Sequence, residues 1–304
     1  MVRFKEFALA SLIVLASVLG SGLTVAADEG SNHARENPGH GHQNSTLFAM
    51  GESGAVLLAI DGENHRTRVI GHTGSPVPSL ALAITPDGTA AYTIAKANLP
   101  ALAQLAKIDL ATGAATPVGQ PLHNSFHYPL PNGLFVMGMT FSPDGVLYAA
   151  GDFTTTSDTF NSLYTIDLTT GLATRVGPFR LGESGSKFIM SFSFDPEGDM
   201  YGASQTSLYK IDRRTGRATK VIDFTGASTA PSKVMGIAFD ENGKLYAADY
   251  LPTSTIYKVN LRTGHFTALL TAGPFVHNIS FKPEPGCGNG NGKDDSDGND
   301  QCNS

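Results

Sequence analysis

Short apolar runs alternate along most of the chain with polar stretches rich in Gly, Pro, Asp and Thr. In the clearest stretch, Val136-Met137-Gly138-Met139-Thr140-Phe141 runs into Pro143-Asp144-Gly145, and Val146-Leu147-Tyr148-Ala149-Ala150 follows. Leu163 to Leu168 is the next run, Thr170-Gly171 breaks it, and Ala173 to Val176 closes the set. Outer runs alternate apolar and polar side chains, as a strand buried on one face requires. Pro-Asp-Gly and Thr-Gly are turn formers. The first run is apolar and small, which suits a strand beside a crowded axis. The pattern predicts four strands joined by tight turns.

That unit recurs. The phrase Leu163-Tyr164-Thr165-Ile166-Asp167, with Thr170-Gly171 behind it, returns from Leu208, Ile256, Leu105 and, most degenerate, Leu57. The first turn returns as Pro196-Glu197-Gly198, Glu241-Asn242-Gly243 and Pro86-Asp87-Gly88. A spacing of about 45 to 58 residues is the range of propeller blades. The two ends carry complementary fragments. Val276 to Phe281 is a first strand without successors; Thr46 to Met50, Val56 to Asp61 and Thr67 to Ile70 are later strands without a first. The predicted fold is therefore all-β, a five-bladed β-propeller over residues 45–283. Its ring is closed by a blade shared between the N- and C-terminal strands, which leaves no free edge at the joint.

The flanks read differently. Arg3 and Lys5, the apolar run from Phe7 to Leu23 and the small residues Val25-Ala26-Ala27 predict a cleaved secretory signal peptide over residues 1–27. Residues 28–44 are a polar linker with His33, His40 and His42, and residues 284–304 an acidic Gly/Asn/Asp tail. Export makes a disulfide between Cys287 and Cys302 the expectation. In the tail, Asp295, Asp297 and Asp300 around Gly298 form an incomplete calcium loop, lacking the full spacing and the terminal Glu. The predicted location is extracellular or periplasmic, with no membrane association after cleavage. A net charge of −6 with no basic run leaves nucleic acid without an electrostatic footprint.

Candidate chemistry sits where loops are long and where the first strands converge. On one face lie the connections from Gln120 to Gly133, with His123, His127 and Tyr128, and from Asp152 to Asn161. Asp152 and Asp249 follow their second strands at like positions and should face the mouth together; with His127 and Tyr128 they are the candidate ligand-binding residues. Aligned first strands put Leu80, Met137, Met190, Met235 and His277 in one ring at the channel mouth. Thioether and imidazole suit copper, so Met137, Met190, Met235 and His277 are a candidate copper site. The competing reading is that flexible Met fills an irregular gap where strands converge.

Phrases such as Met235-Gly236-Ile237-Ala238-Phe239-Asp240, with Asn242-Gly243-Lys244-Leu245-Tyr246-Ala247-Ala248-Asp249 behind, resemble the broad NHL-repeat and gluconolactonase-like propellers. The resemblance spans the repeat region and implies the fold. In the calcium-dependent lactonases of that group the ring position bears Asn, Asp or Glu; here it bears Leu, Met and His, so the resemblance argues against that activity. No Gly-x-Ser-x-Gly elbow, His-Glu-x-x-His or phosphate-binding Gly loop occurs. The expected function is a secreted, monomeric, non-enzymatic scaffold binding a protein, glycan or small ligand. The alternatives are a hydrolase or lyase working at the channel mouth and a periplasmic copper protein.

Overall fold

The computed structural model describes residues 46–62, 64–74, 81–96, 103–124, 135–152, 162–181, 188–225 and 234–283. The predicted signal segment and linker, the tail with its cysteines and aspartates, Leu80, His127 and Tyr128 lie outside the described residues.

The protein is a five-bladed β-propeller. Blade 1 holds β4 (Ala83–Ile84), β5 (Ala91–Lys96), β6 (Ala103–Ile108) and β7 (Ala115–Pro121). Blade 2 holds β9 (Phe135–Phe141), β10 (Leu147–Asp152), β11 (Ser162–Ile166) and β12 (Leu172–Pro178), extended by the short β8 (His123–Asn124). Blade 3 is β13 (Ser191–Phe194), β14 (Met200–Ala203), β15 (Ser207–Ile211) and β16 (Ala218–Asp223). Blade 4 is β17 (Val234–Phe239), β18 (Leu245–Asp249), β19 (Ser254–Val259) and β20 (Phe266–Gly273). Blade 5 joins β21 (Ile279–Phe281) to β1 (Leu47–Gly51), β2 (Val56–Asp61) and β3 (Arg66–His72). The predicted closure is present: Leu47, Phe48 and Ala49 pair antiparallel with Phe281, Ser280 and Ile279. The innermost strands touch in the order β4, β9, β13, β17, β21 and back to β4, which completes the ring.

Apolar faces of neighbouring blades form the core. Ile279 and Val276, near the C-terminal end, share one cluster with Leu47, Leu58 and Ile60, near the N-terminal end, and with Ile256 and Leu270 of blade 4. Burial of such side chains stabilises by about 1.5–3 kcal/mol each. Closing the ring therefore draws on packing from both ends of the chain.

The recurrent Asp or Asn of the repeat phrase has a mechanical role. Asp109, Asp167, Asp212 and Asn260 accept hydrogen bonds from backbone N–H groups two residues on, which bends the chain into the Thr-Gly turn. Backbone N–H groups of the turn, Ala111 for Asp109, Thr170 for Asp167 and Arg214 for Asp212, are the main cause that holds these carboxyls below the usual carboxylate range. The Gly of each turn has positive φ and lies against the outermost strand of the preceding blade: a Cβ on Gly216 would stand 2.4 Å from Gly177 O. The chain leaving one blade also clasps the outermost strand of the next. Ala115 N bonds Thr73 O, Ala218 N bonds Phe179 O, Phe266 N bonds Thr225 O, and His123–Asn124 run parallel to Leu172–Ala173. Blade 5 has no Thr-Gly turn. There the His65 ring bonds Leu269 O and Thr67 Oγ1 bonds Thr271 O instead.

Candidate functional site

Each first strand enters the ring at the mouth, and four of them do so through the same irregularity. In blade 2, Gly138 pairs with Ala150 and Val136 with Gly151, so Met137 is an extra residue in the ladder. In blade 4, Gly236 pairs with Ala248 and Val234 with Asp249, so Met235 is the extra residue. In blade 3, Met190 N donates to Ala203 O at 2.7 Å, although Ala203 is already the partner of Ser191. In blade 5, His277 N donates to Met50 O at 2.8 Å while Met50 N donates to Asn278 O at 3.0 Å. Two residues oppose one in every case, the arrangement of a β-bulge, which re-aims a side chain and recurs beside functional sites. The ring that the sequence aligned is thus a ring of bulges bearing Met137, Met190, Met235 and His277.

One residue further in, the ring is small or polar: Ala81, Gly138, Ser191, Gly236 and Asn278. A Cβ on Gly138 would lie 2.9 Å from Ser191 Cα, and one on Gly236 would lie 2.9 Å from His277 O, so neighbouring backbones are in contact at this level. Because Gly236 has no side chain, blades 3 and 5 meet over it. Ser191 Oγ donates to Asn278 Oδ1 at 2.6 Å and accepts from Ile237 N at 3.0 Å. Ser193 Oγ accepts from Phe239 N in the same way. Two serines of β13 therefore satisfy inner-edge amides of β17, groups that would otherwise be costly to bury.

His277 is 2 % exposed, its ring 4.9 Å from that of Tyr250, and its Nδ1 has no hydrogen-bond partner. Burial holds its pKa down at about 4. Asn278 Nδ2 is likewise buried without a partner. Tyr250 continues outward: its hydroxyl shares a 2.7 Å hydrogen bond with Ser53 Oγ, and its ring packs on Phe275. Ser53 and Phe275 both have positive φ, and Ser53 N bonds Phe275 O. Such backbone strain collects at binding sites. Phe275 and Phe188, on the entries to blades 5 and 3, are exposed aromatics at the mouth.

Asp249 ends β18 at the mouth, but its carboxylate turns back into its own blade. Oδ1 accepts from Thr255 N and Oδ2 from the Tyr257 hydroxyl, both at 2.8 Å. Burial, and then this bond, push Tyr257 up to about 12. The expected equivalence of Asp152 and Asp249 does not hold. Asp249 opposes Val234, as Gly151 opposes Val136; Asp152 opposes Phe135, one residue further on. Sequence reasoning missed Tyr250, Phe275 and Phe188; aromatic residues in the short strand entries were the available clue. Among the described residues no group of three or more His, Cys, Asp or Glu is placed to hold a metal ion. A concavity of about 600 Å³ between blades 4 and 5 lies at the turn end, lined by residues such as Asp61, Arg66, Asp240 and Lys258.

The fold is that of a repeat propeller whose described first strands enter the channel through bulges. The chain belongs to the family described as a repeat of unknown function, DUF6923, whose model matches residues 137–298. Solved structures similar to it include TolB from Acinetobacter baumannii, with 14% identity, covering 79% of this chain and 67% of that one, TM-score 0.46. The PQQ-bound aldose sugar dehydrogenase of Streptomyces coelicolor has 13% identity, covering 77% and 81%, TM-score 0.45. A gluconolactonase from Xanthomonas campestris has 13% identity, covering 78% and 79%, TM-score 0.43. No curated protein matches the sequence.

Proposed function

We propose that the protein is an exported, non-catalytic propeller that captures a protein or glycan ligand on its mouth face. The observation that carries this reading is the contrast between the two faces. At the turn end, aspartates and asparagines are consumed by their own turns. At the mouth, Phe275 and Phe188 stand exposed, and Tyr250 and Ser53 brace Phe275 from beneath. Rigid aromatic anchors in a polar rim are the usual centres of binding energy. Of the two candidate carboxylates, Asp249 is engaged with Tyr257 and Thr255. Export follows from the basic, apolar and small-residue segments at the N-terminus.

The test is a glycan array and a binding screen against purified envelope and extracellular proteins. Wild type is compared with Phe188→Ser/Phe275→Ser and with a control substitution at the exposed outer-strand residue Val69. The reading expects a saturable ligand whose affinity falls at least tenfold in the aromatic double variant and is unchanged in the control. Turnover of a lactone or ester panel that is abolished by Asp152→Ala or Asp249→Ala would overturn it.

A further inference from the structure

Three of the seven methionines, Met50, Met139 and Met200, are buried in the apolar clusters between blades. Met190 and Met235 are also buried, at 4 % and 7 % exposure, but belong to none of those clusters. The first group fills the interfaces between blades, and the second lies where the first strands converge. Met190 and Met235 occupy bulge positions of adjacent first strands, and His277 occupies the bulge position of the next strand round the ring. Met137 holds the same place on the other side of Met190. These strands are close: Gly138 lies against Met190 and Ser191, and Gly236 against His277 and Ile279. Ser191 and Asn278 bond directly across the intervening strand. The His277 ring leans on Tyr250, whose neighbour Asp249 is the strand partner of Val234, the residue before Met235. Its Nδ1 is a buried nitrogen with no partner in the protein. An orphaned buried polar atom is costly and calls for an explanation.

We propose that Met190, Met235 and His277, with Met137 beside them, form a site for a soft monovalent metal ion, Cu(I), at the mouth of the channel. Thioether sulfur is polarisable and favours Cu(I) over hard divalent ions, and imidazole is a good copper ligand. Hard ions such as calcium need oxygen ligands, which these four side chains do not supply. Bulges at equivalent heights bring the four residues to one level of the ring without a helix or a long loop. The unpartnered imidazole nitrogen gains a partner when the ion binds. This site is independent of ligand capture by the aromatic patch, and either can fail without the other.

The experiment titrates the mature wild-type protein, labelled with ¹³C at the methionine methyl groups, with Ag(I) as a redox-inert probe and then with Cu(I) under reductant. Single Met→Leu variants assign the resonances. The expected result is saturation near one equivalent, with the methyl signals of Met137, Met190 and Met235 shifting and those of Met50, Met139 and Met200 staying still. Met190→Leu/Met235→Leu should bind at least a hundredfold more weakly, and copper X-ray absorption of wild type should show sulfur together with imidazole scatterers. No stoichiometric binding would overturn the proposal. So would shifts in the core methionines alone, or a nitrogen- and oxygen-only shell, as weak chelation by His33, His40 and His42 would give. Should the double variant fail to fold, the wild-type methyl shifts decide alone.

Discussion

Ile279 is the residue on which ring closure can be weighed most cleanly. It sits in β21 opposite Ala49, 2 % exposed, in the cluster that joins Leu47, Leu58 and Ile60 to Ile256 and Leu270. Ile279→Ala removes buried methylene and methyl groups without changing the backbone to be ordered, so the entropy of the chain ends does not enter the comparison. Large-to-small changes of this kind cost about 2–5 kcal/mol, the spread depending on how far the site collapses. The surrounding strands are pinned by the backbone bonds from His277 N to Met50 O and Lys282 N to Thr46 O, so little collapse is expected and the loss should lie near 3 kcal/mol or above. For a domain of this size that is a fall of about 6–12 °C in Tm. The chain has no Trp, so urea unfolding is followed by tyrosine fluorescence and far-ultraviolet circular dichroism. Because blade 5 closes the ring, both probes should report one transition at a lower midpoint with an unchanged slope. A loss below 1 kcal/mol, or a separate early transition from blade 5 alone, would refute the reasoning.

The blade latch and two half-buried tyrosines give further outcomes. Gly177→Ala would put a Cβ 2.1 Å from Thr215 O, so the turn of blade 3 must retreat. The expected cost is about 1–3 kcal/mol, read by thermal unfolding, with Gly62→Ala, which meets nothing within 4 Å, as the silent control. Tyr246 and Tyr257, both pushed up to about 12, should ionise last in an alkaline absorbance titration. Their folded values exceed the ordinary 10, so their contribution to stability is complete below pH 10 and is lost as the pH rises towards 12. Asp249→Asn should lower the Tyr257 midpoint part of the way, leaving the burial effect, and should not move Tyr246; a parallel shift of both would contradict the assignment.

Much of this fold was legible before any coordinates. Strand order, the five blades and the pairing of Val276–Phe281 with the N-terminal strands follow from the repeat phrase, because each Asp-x-x-Thr-Gly turn is built by local hydrogen bonds that leave a local trace. The alignment of Met137, Met190, Met235 and His277 was also readable. That each sits on a bulge was not, since one extra residue in a ladder changes hydrogen-bond register and not composition. The same limit misplaced Asp152, which the sequence set level with Asp249 and the ladder sets one residue beyond it. The clasp between blades was hidden too. Thr73, Phe179 and Thr225 bond through backbone carbonyls, and nothing in those side chains announces it.

A designed cross-link between the two ends tests the shared blade directly. Leu47 and Phe281 are Cα partners, with the bond from Lys282 N to Thr46 O beside them. They form a pair that does not exchange hydrogen bonds, where Cα atoms approach to about 4.5 Å, within disulfide reach. Leu47→Cys/Phe281→Cys, made with Cys287→Ser and Cys302→Ser, should oxidise to a single intramolecular disulfide, seen as the loss of two hydrogens by mass spectrometry. The strand signal should persist. Two free thiols in a chain that keeps its native circular dichroism would show that the first and last strands of the ring do not lie side by side.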